Sequence, residues 1–153
     1  MSSLDAIGVH AETGYGNVTP LLNEIAHAID RLLDDGEPTV IDLAGLPFGP
    51  GELEQLETEL GTGELSAELD ALGISRIRET AYPGVWWLEH RNASGQVVGR
   101  YVEVTRTPEI LVSQGADIAA GRARLGERLQ ADAGKSTTGL TGPQPDQAQE
   151  SGT

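Results

Sequence analysis

The chain has 153 residues, enough for one domain with a substantial core, and it carries 24 acids against 10 bases, a net charge of −14. It contains no cysteine, which excludes disulfides, thiolate catalysis and cysteine-ligated zinc or iron–sulfur sites within it. Binding to nucleic acid is not expected, because phosphate contacts need a cationic footprint, and no membrane partner is expected, because no apolar run approaches the roughly 18 residues of a span.

Residues 1–17 are glycine-rich and polar and read as a loose arm. They show neither a basic n-region nor an apolar h-region, so no secretory leader is expected and the cytoplasm is the expected compartment. Thr19 and Pro20 then open a helix, threonine as N-cap and proline at the first helical position. Leu21, Leu22, Ile25, Ala28, Ile29, Leu32 and Leu33 recur at helical spacing, and Gly36 ends the run. Thr39–Leu43 is short and β-branched and predicts a strand. After the turn Leu46–Gly51 comes a second helix, with Leu53, Leu56 and Leu60 inward and Glu52, Glu54, Glu57 and Glu59 in water; Gly61 stops it.

From Glu64 the period shifts toward two, which predicts strands near 64–69, 74–81, 85–91 and 97–105. Tyr82-Pro83-Gly84-Val85 has the pattern of a type II turn, with proline second and glycine third. Asn92–Gly95 closes the next hairpin. Connections this short do not permit parallel crossovers, so the sheet is expected to be mainly antiparallel. Thr107-Pro108 repeats the cap signature before a helical turn and a longer helix with Ile118, Leu125 and Leu129 on one side. Asp132 to Thr153 has almost no large apolar side chain and is expected to be disordered. The fold class is therefore α+β: a two-layer sandwich with helices on one face of the sheet, an arm at 1–17, a domain at 18–130 and a tail at 131–153.

Charge is unevenly placed. Residues 1–70 hold 15 acids and one base, Arg31, whereas residues 71–130 hold 6 acids and 8 bases. An acidic half can attract a basic partner over long range, although a solvated surface has the same signature. In a strand, Trp86 and Trp87 point to opposite faces, so one packs under the helices and the other is exposed or covered by a loop. An exposed tryptophan on a sheet is a candidate protein-binding anchor. Arg76, Arg78 and Thr80 share one face. Ser75, Ile77 and Glu79 share the other, which Ile77 marks as the core side. Glu79 then needs a partner, such as Arg100 or Arg106. Arg76 and Arg78 either pair with Glu64 or Glu68 of the preceding strand or clamp a carboxylate or carbonyl of a partner.

No catalytic constellation is visible. His10, His27 and His90 have no metal-ligand spacing, and Gly134-Lys135-Ser136-Thr137 lacks the leading glycine and preceding strand of a phosphate loop. An acid–base enzyme built on Glu64, Glu68 and Glu79 is the alternative to a binding module.

The runs Gly63–Glu68 and Ser75–Trp87 (SRIRETAYPGVWW), together with Glu103–Pro108, LLNEIAHAIDRLL of the first helix and Thr39–Leu43, closely resemble the HupH/HyaF family of NiFe-hydrogenase expression and maturation proteins. The resemblance covers roughly residues 19–126. It implies an accessory protein, not an enzyme, that holds an immature hydrogenase subunit, above all the precursor of the iron–sulfur small subunit. That precursor typically bears a twin-arginine signal peptide. A thioredoxin-like accessory protein is the implied second partner, and a homodimer or a structural place in a hydrogenase assembly complex stays open. No cofactor or metal is expected: without cysteine the chain cannot hold a cysteine-ligated cluster, which favours a chaperone over a cluster carrier. The expected contact residues are Arg76, Arg78, Glu79, Tyr82, Pro83, Gly84, Trp86 and Trp87.

Overall fold

A computed structural model describes residues 16–137 and Gly142. The expected arm up to residue 15 and the expected disorder at 138–141 and 143–153 lie outside the described residues. The elements run α1 (Val18–Asp35), β1 (Thr39–Asp42), a 3-10 turn (Leu43–Gly45), α2 (Glu52–Leu60), β2 (Ser66–Asp70), β3 (Ile74–Glu79), β4 (Val85–Arg91), β5 (Val97–Val104), a 3-10 turn (Glu109–Leu111) and α3 (Gly115–Thr137). Two compact units divide between Leu111 and Val112. The second contains α3, which continues past the expected end of the ordered chain at residue 130. Lack of apolar side chains there argues against packing, but Ala131 and Ala133 are good helix formers.

The first unit is the expected α+β fold. Its five strands are ordered β1-β5-β4-β3-β2 and every pairing is antiparallel. Val18, Leu21, Ile25, Ala28 and Leu32 alternate at spacings of three and four, so α1 buries one stripe. That stripe, with Leu56 and Leu60 of α2, packs on Ile41, Val85, Trp87, Val102 and Val104 of the sheet. Leu56 and Leu60 are almost wholly buried, each worth about 2–3 kcal/mol relative to an exposed position. A smaller core forms on the opposite face from Ile77, Trp86 and Leu88, with Tyr101 and Leu111 against it.

Three expectations change. The helix α1 starts at Val18, with Asn17 rather than Thr19 before it. Asn17 is fixed from outside the helix: its backbone N–H donates to Glu52 (3.2 Å) and its side-chain amide to the Pro47 carbonyl (2.8 Å). Pro20 is tolerated because the first turn needs no intrahelical donor. Glu52 is not in water but 5% exposed, and its carboxylate accepts from the Gly49 N–H at 2.8 Å. The hydrogen bond from Gly49, against the opposing effect of burial and with help from Asn17, holds Glu52 below the usual carboxylate range. Finally, the face carrying Arg78 and Thr80, not that of Ile77, lies under the helices, since Arg78 is in register with Trp87 and Ile77 with Leu88.

Candidate functional site

The Tyr82–Gly84 turn joins β3 to β4 as expected. The Val85 N–H donates to the Tyr82 carbonyl at 3.0 Å, and Gly84 takes φ +82, the left-handed value that a type II turn requires at its third position. Thr80, buried, braces the turn: its hydroxyl donates to the Tyr82 carbonyl and accepts from the Tyr82 N–H. The Thr105 N–H donates to the Gly84 carbonyl, so the turn is tied to the end of β5. Gly63 lies against the same strand end, where a Cβ would stand 2.4 Å from the Thr80 carbonyl oxygen. No side chain fits there.

Beside this turn is a cavity of about 330 Å³ lined by Ile29, Leu32 and Leu33 of α1 and by Glu79, Pro83, Gly84 and Arg106. Its walls are apolar, with one acid and one base. Glu79 accepts from the Gly84 N–H at 3.3 Å. Arg106 is exposed and forms no ion pair among the described residues. The residues available to a partner are therefore Tyr82, Pro83, Leu33 and Arg106, all exposed.

The expected contact residues divide. Glu79, Tyr82, Pro83 and Gly84 come together at the turn. Trp86 and Trp87 do face opposite sides, but neither is exposed: they are 5% and 3% accessible. Trp87 is under the helices, and Trp86 is shielded by its own small core, with its indole N–H donating to the Thr105 carbonyl at 3.0 Å. An exposed tryptophan anchor is thus absent from this strand. Arg78 points into the fold, donating to the Gly61 carbonyl (3.1 Å), pairing with Glu57 and lying 5.4 Å from the Trp87 ring centroid. Arg76 pairs with Glu68 across the strands at 3.0 Å. Glu79 meets neither Arg100 nor Arg106 in an ion pair: Arg100 bonds Glu89 at 3.0 Å, and Arg106 lines the same cavity as Glu79 without bonding it.

Sequence reasoning did not place Leu33 in a site, although a signal existed. It is a leucine one position off the buried stripe that ends at Leu32, so it faces outward.

Glu68 and Glu79 do not form an acid–base pair. Glu68 is in register with Arg76 on the face of Trp87, and Glu79 with Trp86 on the other. Elsewhere, Glu89 is bridged by Arg100 and by Arg91. Burial alone would raise its carboxyl, but those arginines outweigh it and hold Glu89 below the usual range. Burial pushes the Glu103 carboxyl up, against the pull of His90 and with a contribution from Glu109. Among the described residues no group of three His, Cys, Asp or Glu side chains could hold a metal ion, and no helix is long and apolar enough to cross a membrane.

Residues 16–131 match the family described as HupH hydrogenase expression protein, C-terminal conserved region. The chain is 31% identical over 120 residues to the hydrogenase expression/formation protein HoxQ of Azotobacter vinelandii, covering 77% of this chain and 42% of that protein. It is 31% identical over 96 residues to the hydrogenase expression/formation protein HupH of Rhodobacter capsulatus, covering 63% of this chain and 35% of that one. The chain thus spans less than half the length of these curated relatives. Among solved structures, the hydrogenase expression protein HupH from Thiobacillus denitrificans ATCC 25259 superposes with a TM-score of 0.74 at 49% identity, over 77% of this chain and 98% of that one.

Proposed function

Because the chain belongs to the HupH hydrogenase expression protein family, matching its C-terminal conserved region, we propose that it serves hydrogenase formation as a binding protein. On this reading it holds an immature hydrogenase subunit, the iron–sulfur small-subunit precursor, in the groove beside the Tyr82–Gly84 turn. The setting is the cytoplasm, and a thioredoxin-like accessory protein is a second partner.

The observation that carries this reading is the groove. There Pro83 and Gly84 of the family-like SRIRETAYPGVWW segment, with exposed Tyr82 in the same turn, meet exposed Leu33 and Arg106 and half-buried Glu79. Aromatic and arginine side chains are favoured anchors at interfaces. Arg106, without an ion pair among the described residues, supplies a carboxylate-binding point. The separation of Glu68 and Glu79 onto opposite faces counts against the acid–base enzyme.

The test is co-expression of the tagged chain with a hydrogenase small-subunit precursor, followed by affinity capture. Tyr82→Ala, Leu33→Ser and Arg106→Glu all alter exposed side chains, so each variant is expected to keep its thermal midpoint and to lose captured precursor. Capture equal to wild type in all three folded variants would place the client elsewhere. Failure of the wild type to retain the precursor would reject the client itself.

A further inference from the structure

We infer that α3 is a homodimerisation element that pairs antiparallel with α3 of a second copy of this chain. Ile118, Leu125 and Leu129 are 60%, 54% and 60% exposed. With Arg122 and Asp132 they form one continuous seam at spacings of four, three, four and three residues. This is the seam of a helix built to pair with another helix. The helix also needs a partner to persist. Gly121, Gly126 and Gly134 lie inside it, each weakening a free-standing helix, and from Val112 to Ser136 every residue is exposed except half-buried Gly121 and Gly126.

The order of residues along the seam selects the partner and its direction. Reversal about Glu127 exchanges Leu125 with Leu129 and Arg122 with Asp132. A second copy laid antiparallel therefore sets Leu125 against the partner's Leu129 and Arg122 against the partner's Asp132. The two-fold axis repeats each contact. Neither Arg122 nor Asp132 has an ion pair among the described residues, so both charges are available. A parallel pair in register would oppose Arg122 to arginine and Asp132 to aspartate, and like charges across a seam are disfavoured. Gly126 flanks the axis on one side, with the Arg122 guanidinium lying over it, where a Cβ would stand 2.9 Å from Nη1. Arg128 flanks it on the other and meets the partner's Arg128, a repulsion that the two Arg–Asp pairs outweigh.

Sedimentation equilibrium of the full chain over a concentration series tests this. Wild type is expected to show a reversible monomer–dimer equilibrium. R122D sets aspartate against the partner's Asp132 twice and is expected to raise the dissociation constant about tenfold. The swap of both charges, R122D with D132R, restores the pair and is expected to return the constant to within about twofold of wild type. Residues 122 and 132 are about 15 Å apart along one helix, so that rescue cannot arise within a single chain. Leu125→Asp is expected to abolish the dimer. A chain that stays monomeric throughout the series, a swap that fails to rescue, or a dimer indifferent to Leu125→Asp would each overturn the inference.

Discussion

Arg78 was expected to contact a partner, and its geometry makes it a strut instead; replacing it separates the two roles. In Arg78→Ala the chain loses a charged hydrogen bond to the Gly61 carbonyl just past α2, worth about 1.5–3 kcal/mol. It also loses a cation–π contact with Trp87, worth about 0.5–1 kcal/mol. The ion pair with Glu57 adds little, since Glu57 is 48% exposed and Arg78 22%; about 0.3 kcal/mol is reasonable for it. The loss is then about 3 kcal/mol, or roughly 12–24 °C in melting temperature for a unit of about 100 residues. Arg78→Lys keeps the charge but neither the fork nor the stacking and is expected to lose about 2 kcal/mol. Glu57→Gln is expected to lose no more than about 0.5 kcal/mol. Urea titrations followed by far-UV circular dichroism measure all three, with client capture scored beside them. An Arg78→Ala chain of wild-type stability that no longer captures its client would refute the strut and restore Arg78 to the contact surface.

Glu52→Gln is expected to destabilise the fold, because an amide can replace only one of the two acceptor oxygens that meet Gly49 and Asn17. Glu52 is lowered in the folded state, so its contribution is complete above the unfolded carboxylate range and is lost as pH falls through the folded value. The variant's acid limb should therefore be shallower in a pH series of melts. Glu103 has the opposite sign. Its folded value is raised, so stability falls as pH climbs from the unfolded to the folded value. Glu103→Gln should raise the melting temperature at neutral pH, with the gain vanishing in acid. Leu72, 98% exposed at φ +58 in the β2–β3 turn, is the sole non-glycine residue at positive φ among those described. Leu72→Asn should stabilise the chain by about 0.5–1 kcal/mol, read as a shift in the urea midpoint.

Much of the first unit was legible because its signals are local. The alternation through 64–105, the Tyr82–Gly84 and Asn92–Gly95 turns and the stripe of α1 each fix an element within a few residues. Period two divides side chains into two sets without saying which set faces the helices, and here β4 hides the answer. Val85, Trp86, Trp87 and Leu88 are all buried, so both sides of the strand look like a core. The assignment turned on Arg78, whose long side chain reaches the end of α2, a contact 17 residues away in sequence. The pairing of β1 with β5 spans a similar gap in information, since Ile41 meets Val102 with three strands intervening in the chain. Glu52 was misread because helical spacing placed it with its exposed neighbours, while its real environment is the backbone of Gly49 and Asn17. The groove could not be foreseen as a whole: it assembles α1, the β3–β4 turn and Arg106, two residues past β5, and only the turn announces itself.

The adjacency of Trp86 and Trp87 also gives the molecule its own optical instrument. One peptide bond separates two indoles that sit in different cores, one under the helices and one on the far side of the sheet. Replacing either with phenylalanine leaves a single tryptophan, and with excitation that spares the tyrosines the two single-tryptophan chains then watch the two layers separately, with no dye attached. Superimposable unfolding curves would mean that the layers melt as one. A chain in which the Trp86 emission shifts first would show the far side loosening while the helix-side layer still holds, a partly opened form whose loose end begins two residues from the groove.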